Sequence, residues 1–379
     1  MFKLGCVVLF LAGAPFLFGQ DELSHLVAES VPLRASTDID WTNQRSALRD
    51  WIESRLPRNI AALDADFSNL EARLNEEIQQ AGLTEPVTPD YGFGYVSKVT
   101  LSRPSEYPGA LVVRAGVSVG CGNDESVYVY NFAPARNRLL DAHGTGKWGH
   151  GVFDAQFSGP DDSGSRILYV SWYDVQCGSS WNRLDFSLFR FGPGQEQAMP
   201  LFSSAPSFKI DYEVHVRLSP SELLLEFAAG AMEGGFIRTY VLRYSIGAQG
   251  VERIDPVALQ PQDFVHEWLI EPWAEMESRS GSSDALAKWH KFLHADSVLG
   301  DYEFVQPCVN RRGVTQVGAG ITLIGDREIP EPRIVHFLVK DKGNYSYEMS
   351  QISFDSNDDC PGETPAADYT QLPSLFKKK

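Results

Sequence analysis

Twice in this chain a run of β-forming residues stops at a cysteine followed by glycine and then resumes as a second run. That arrangement constrains the fold more than any other feature. The first copy reads Ala110 to Val119, Gly120-Cys121-Gly122, then Ser126 to Phe132. The second reads Arg166 to Val175, Gln176-Cys177-Gly178, then Leu184 to Phe191 and the turn Gly192-Pro193-Gly194. A third, Glu222 to Ala229 and Ile237 to Ser245 around Gly230 and Gly234-Gly235, keeps the hairpin and lacks the cysteine. Branched and aromatic side chains fit a pleated, half-buried surface, and the Gly, Pro, Asn and Asp clusters between them interrupt it. Short apolar segments, Leu139-Leu140, Met199 to Phe202 and Val251 to Ile254, add a further strand to each copy. A period of roughly 55 residues is in the range of propeller blades and repeated sheets. Because a closed ring takes at least about four blades, three copies predict an irregular propeller-like or sandwich β-repeat domain over residues 91–260.

On both sides the period changes. From Gln44 to Leu83 apolar residues recur at steps of three and four: Leu48, Trp51, Ile52 and Leu56, then Ile60, Leu63, Phe67, Leu70, Leu74 and Ile78. This predicts two helices meeting near Pro57, the second spanning Asn59 to Gln80 with Gly82 as its C-cap. Its stripe offers a surface for self-association through residues 59–80. Pro86, Pro89, Gly92 and Gly94 mark a linker, so residues 21–90 form an N-terminal helical segment. Helical spacing returns after Pro261, with Asp263 and Ser283 in N-cap positions. Strand period resumes at Tyr302 and ends in a hairpin, Arg333 to Lys340 and Tyr345 to Phe354, around a Gly343-Asn344 turn. Helices followed by antiparallel strands predict an α+β domain over residues 261–360. Residues 361–379 read as a polar tail. The expected fold class is mainly β with an α+β C-terminal part.

Lys3 and the apolar run that follows it, interrupted by Pro15 and ended by Asp21-Glu22, have the form of a signal peptide over residues 1–20. The run is shorter than the ~20 apolar residues of a membrane span. A secreted or periplasmic protein is expected, with no transmembrane segment in the mature chain. Losing Cys6 leaves Cys121, Cys177, Cys308 and Cys360, an even number suited to disulfides in an oxidising compartment. Three pairings are open, of which Cys121–Cys177 and Cys308–Cys360 each stay within one segment. No two of these cysteines stand close enough for the paired spacing of structural zinc.

Thirty-three basic against fifty acidic residues give a net charge of -17, which repels phosphate backbones, so no nucleic-acid partner is expected. His290 and His294 share a helix face, with His266 or Glu267 needed to complete a metal site, but no third ligand follows them in sequence. Asp355, Asn357 and Asp359 have calcium-loop spacing, yet Cys360 stands where glycine is needed and Ala366 where the closing glutamate belongs. No metal site and no cofactor are expected. The G-x-S-x-G nucleophile motif is absent, and the glycine-rich stretches do not open helices.

Trp148, within Gly146-Lys147-Trp148-Gly149, and Trp181, within Ser179-Ser180-Trp181-Asn182, lie in expected loops, where a large ring meets a ligand more readily than in a core. With no catalytic motif, the chain reads as a non-catalytic binding protein whose β-repeat scaffold presents loops to a protein, peptide or glycan. The alternative is a secreted hydrolase acting on carbohydrate or peptide, with carboxylates converging from different repeats. A cavity holding acids beside an aromatic wall is the mark of that alternative.

Overall fold

The computed structural model describes residues 18–33, 41–84, 94–119, 122–144, 150–174, 182–204, 208–230, 237–281, 284–294, 302–304, 307–309, 314–321, 333–355 and 375–376. The helices are α1 (Phe18–Leu33), α2 (Thr42–Arg55), α3 (Ile60–Gln80), α4 (Pro261–Ile270), α5 (Trp273–Met276) and α6 (Asp284–Leu293). The strands are β1 (Thr100–Ser102), β2 (Ala110–Val119), β3 (Gly122–Asn131), β4 (Asn137–His143), β5 (His150–Phe157), β6 (Arg166–Asp174), β7 (Asn182–Phe191), β8 (Met199–Ser203) and β9 (Phe208–Leu218). They continue as β10 (Glu222–Gly230), β11 (Ile237–Gly247), β12 (Gly250–Arg253), β13 (Tyr302–Phe304), β14 (Cys308–Val309), β15 (Thr315–Ile321), β16 (Arg333–Gly343) and β17 (Ser346–Ser353). The protein is thus mostly antiparallel sheet. Two compact units divide it: Met1–Phe157 with Val170–Gly178 and Phe191–Met199, and Ser158–Tyr169 with Ser179–Arg190 and Pro200–Lys379.

In the first unit, β1-β2-β3-β4 form a meander in chain order. Leu111 lies opposite Tyr130 and Val113 opposite Tyr128, and the period of two turns these residues, with Ala115 and Val117, into the core shared with the helices. Leu63, Leu70, Leu74 and Ile78 of α3 enter the same core, so the stripe considered for self-association is covered by the chain's own residues. Asn59 caps α3, its side chain accepting from the Ala62 N–H at 2.9 Å. At the other end Leu83 N–H donates to the Ile78 carbonyl and Gly82 N–H to that of Gln79. Gly82 at φ +67 supplies the left-handed residue this Schellman closure requires.

In the second unit β9, β10, β11 and β12 form another meander. The second and third copies are joined rather than separate, because Asn182–Leu184 of β7 pair with Phe208–Ile210 of β9. The C-terminal strands β15, β16 and β17 run in order, with β13 and β14 both on β15. Trp268, Phe264 and Val265 of α4 pack with Val317, Phe337 and Met349 of that sheet. Each such side chain, fully withdrawn from water, contributes roughly 1.5–3 kcal/mol.

Two local expectations are corrected. Helix α4 starts at Pro261 with Gln260 as N-cap, and Asp263 lies inside its first turn; proline's fixed φ and missing N–H suit the first helical position. Ser283 lies outside the described residues. The β16–β17 turn sits one residue later than expected. Gly343 pairs with Ser346, leaving Asn344 and Tyr345 as the central pair at φ +54 and +60. Gly343, at φ +86, takes a bulge instead, and its N–H donates to the Asp341 carboxylate at 2.7 Å.

Candidate functional site

Two groups of polar residues in the second unit compete for attention, and burial separates them. The first joins β11 and β12 to α4. Arg238 and Glu267 have side chains at 0% exposure and Arg253 at 7%. The Glu267 carboxylate accepts from Arg238 on one oxygen and from Arg253 on the other. Arg238 also donates to the Asp263 carbonyl at 2.8 Å, and Arg253 to the Glu271 carboxylate at 3.0 Å. The Arg238 guanidinium lies 3.6 Å from the Tyr240 ring centroid, and that ring stacks on Phe227.

Burial sets the titration of this group. It raises the Asp263 carboxyl to about 7, against the pull of Arg238. It would raise Glu267 too, but the attraction of Arg253 and Arg238 reverses the direction and holds Glu267 low. Burial, then Arg238, pushes His266 well below the usual imidazole range. A carboxylate with both oxygens held by guanidinium groups and no exposed surface offers nothing to a substrate. This cluster is a latch between sheet and helix.

The second group opens to solvent beside the β16–β17 turn. One cavity of about 370 Å³ is walled by Arg217, Glu222, Arg243, Asn344, Tyr345 and Leu375 among others. A second, of about 310 Å³, is walled by Asp255, Arg279, Lys342, Ser346 and Glu348 among others. Adjoining residues of the same two segments line both, Pro256 and Tyr345 in the first, Asp255 and Ser346 in the second. Each acid is fixed in place. Arg243 donates to Glu222 at 2.7 Å and to the Asp255 carbonyl at 2.8 Å. Arg279 and Ser346 donate to the two Asp255 oxygens at 3.1 and 2.6 Å. Lys342 and Lys340 hold Glu348 at 2.8 and 3.2 Å, and the Lys342 hydrogen bond keeps that carboxyl below its usual range.

The acids stay reachable, with side chains 32% exposed at Glu222, 38% at Asp255 and 23% at Glu348. Tyr345 adds an aromatic face at 48% exposure. A bulky residue held at positive φ on a turn is uncommon, and such strain gathers where a chain engages a ligand. Fixed carboxylates, donors on either side of them and an exposed ring are the groups that fit a polyhydroxylated molecule.

The residues singled out in sequence fall elsewhere. Trp148, Trp181, Cys121, Cys177 and Cys360 lie outside the described residues. Cys308 is disulfide-bonded; neither expected pairing is placed. His290 and His294 share a face as expected, but their rings stack at 3.9 Å, and His290 Nε2 is 3.0 Å from the Glu271 carbonyl oxygen. Burial and the neighbouring His294 lower His290 to about 4. Among the described residues no three His, Cys, Asp or Glu groups gather as a metal would require, and no helix is long and apolar enough to cross a membrane. Glu222, Asp255 and Tyr345 appear in the sequence only as strand ends or a loop.

No protein-family model matches the chain, and no curated protein matches it in sequence. Solved structures similar to it include the GH32 beta-fructofuranosidase of Bombyx mori, at 11% identity and a TM-score of 0.26, over 74% of this chain and 55% of that one. A xylan beta-1,4-xylosidase of Bacillus halodurans gives 11%, 0.21, 71% and 48%, and an endo-arabinase of Bacteroides thetaiotaomicron 11%, 0.23, 66% and 78%. The chain spans about half the length of the first two. All three are enzymes by name, against the expectation of a non-catalytic binding scaffold. At these TM-scores the likeness carries no argument for an activity here, and a catalytic reading has to stand on the cavities themselves.

Proposed function

We propose that the chain is a hydrolase of carbohydrate, with the substrate seated in the paired cavities beside the β16–β17 turn. The observation that carries the reading is the meeting of Glu222 and the exposed Tyr345 in one cavity wall, with Asp255 in the wall of the next. Hydrolysis of a glycosidic bond uses a pair of carboxyl groups across the scissile oxygen. Glu222 enters from β10 and Asp255 from the connection to α4, two segments that the Arg243 guanidinium ties together. Tyr345 is the platform on which a sugar ring stacks. The acidity of the chain, net -17, favours a neutral glycan over a polyanionic one.

The same reading takes the four-stranded meander β1 to β4 as one blade of an irregular propeller, supported by its chain-order pairing, while β9 to β12 belong to an eight-stranded sheet that also holds β5 to β8. It takes the chain as exported, supported by the residue pattern around Lys3 and the disulfide at Cys308.

The test is release of reducing ends from a panel of neutral polysaccharides. Glu222→Gln and Asp255→Asn should each lower kcat/KM by about 10² or more, and Tyr345→Ala should raise KM. A wild-type chain that releases no sugar from any member of the panel, or whose activity survives both acid substitutions, ends the proposal.

A further inference from the structure

The wall of the first cavity includes Leu375, from near the end of the sequence. Leu375 and Phe376 pack against Leu224, Val241 and Leu259, a small apolar cluster on β10, β11 and the segment before α4. One hydrogen bond and two ring contacts give this docking a register. The Leu375 N–H donates to the Glu226 carboxylate at 2.7 Å. The Phe376 ring stacks on His215, centroids 5.4 Å apart at 29°. The Arg217 guanidinium lies 4.8 Å from the same ring. Glu226 and His215 are directly opposed between β10 and β9, so one spot on the sheet receives both residues.

Glu226 is 3% exposed, deep for a carboxylate, and the hydrogen bond from the Leu375 N–H is what a buried acid needs in place of water. The receiving surface is therefore built for an incoming N–H followed by an aromatic ring, which is more than a greasy patch. Leu375 lies in the cavity wall with Arg217 and Tyr345. A ligand filling that cavity meets the tail.

We infer that Leu375 and Phe376 form an intramolecular plug, docked on Glu226, His215 and Arg217, that narrows the cavity and must leave before an extended ligand fills it. That the cavity is a substrate seat rests on the reading above; the docking of the tail does not. Two groups on one chain meet at an effective concentration that reaches the mM range. A tail whose free-peptide Kd is about 100 μM is then docked roughly ten to one, which is strong enough to occlude and weak enough to release.

The experiment uses a fluorescein-labelled peptide Ser-Leu-Phe-Lys-Lys-Lys, the sequence of residues 374–379, titrated against the full chain and against a chain ending at residue 373. The truncated chain should bind it, and the full chain about tenfold more weakly, since its own tail competes. Equal binding to both overturns the plug. So does equal binding of a peptide with alanine in place of leucine and phenylalanine, because the lysines alone would then account for attraction to an acidic protein. Should the truncated chain fail to fold, hydrogen exchange in the full chain decides. Phe376→Ala should speed exchange of the Leu375 N–H at least fivefold, and an unchanged rate overturns the docking. Neither measurement involves carbohydrate, so either reading can fall while the other stands.

Discussion

The Arg238 guanidinium donates to the Glu267 carboxylate with neither side chain exposed to solvent. Arg238 stands on β11 and Glu267 on α4, so this bond and the Arg253 bond to the other carboxylate oxygen fasten helix to sheet. Water cannot replace a partner lost there. Glu267→Gln leaves two guanidinium groups short of their counter-charge and should cost about 3–5 kcal/mol, the range for breaking a buried pair, read as a lower urea midpoint at unchanged m-value. Replacing Arg238, Arg253 and Glu267 together by apolar residues should cost less than the single change.

Asp263 makes stability depend on pH in the direction opposite to an ordinary ion-paired acid. Its carboxyl is raised to about 7 in the folded protein, against about 3.9 in an unfolded chain. Between those values the folded state holds the extra proton, so the contribution is complete below about pH 4 and is lost as pH rises through about 7. His266 acts in the other sense. Its folded value lies well below the ordinary imidazole value of about 6.5, so its contribution is present above that pH and fades as pH falls. Asp263→Asn should therefore steepen the gain of stability with pH between about 4 and 7, and His266→Asn should reverse it. Urea unfolding at unit steps of pH checks both; identical slopes in the two variants and the wild type would remove the assignment.

Tyr345 holds φ +60 beside Asn344 at +54, the backbone of a turn that favours glycine at its second central position. Tyr345→Gly should relieve about 1 kcal/mol of strain and raise the melting temperature. The same change removes the exposed ring, so carbohydrate turnover should fall. A variant both less stable and fully active would speak against the strain and the platform together.

Gly116 lies opposite Glu125 in the β2–β3 ladder. A Cβ added there meets the Asp124 carbonyl oxygen at 2.6 Å, and backbone cannot move aside without breaking the pairing. Gly116→Ala should destabilise by about 2–3 kcal/mol, in the range for a core clash, as measured by chemical denaturation. Gly159→Ala, where no atom lies within 4 Å of the added carbon, is the control expected to change little.

Much of the secondary structure was legible in the residues. Ala110 to Val119 is expected as a strand and is one, and Gly82 closes α3 in the left-handed conformation its chemistry suggests, whereas Asn59, expected as the first helical residue, is the N-cap. Strand β9 was passed over although Phe208, Ile210, Tyr212, Val214, Val216 and Leu218 alternate without a break, the signal of period two that could have found it. Glycine took precedence in reading the last turn, and the chain used Gly343 for a bulge and Tyr345 for the turn itself.

The site was less legible than the strands. Glu222, Asp255 and Tyr345 belong to three separate stretches of chain, and nothing in their own neighbourhoods marks them. Glu267, one of two residues that could complete a metal site with His290 and His294, instead has both its oxygens taken by Arg238 and Arg253.

Periodicity, capping and turn chemistry act over a few residues, so the amino-acid order alone determined a mostly β chain with helices at α2, α3, α4 and α6. Which acids face solvent, which are locked in arginine, and where residues 375–376 lie depend on contacts between positions up to 149 apart, as for Leu375 and Glu226. Only the folded structure decides these, because burial and electrostatic partnership arise when distant segments meet.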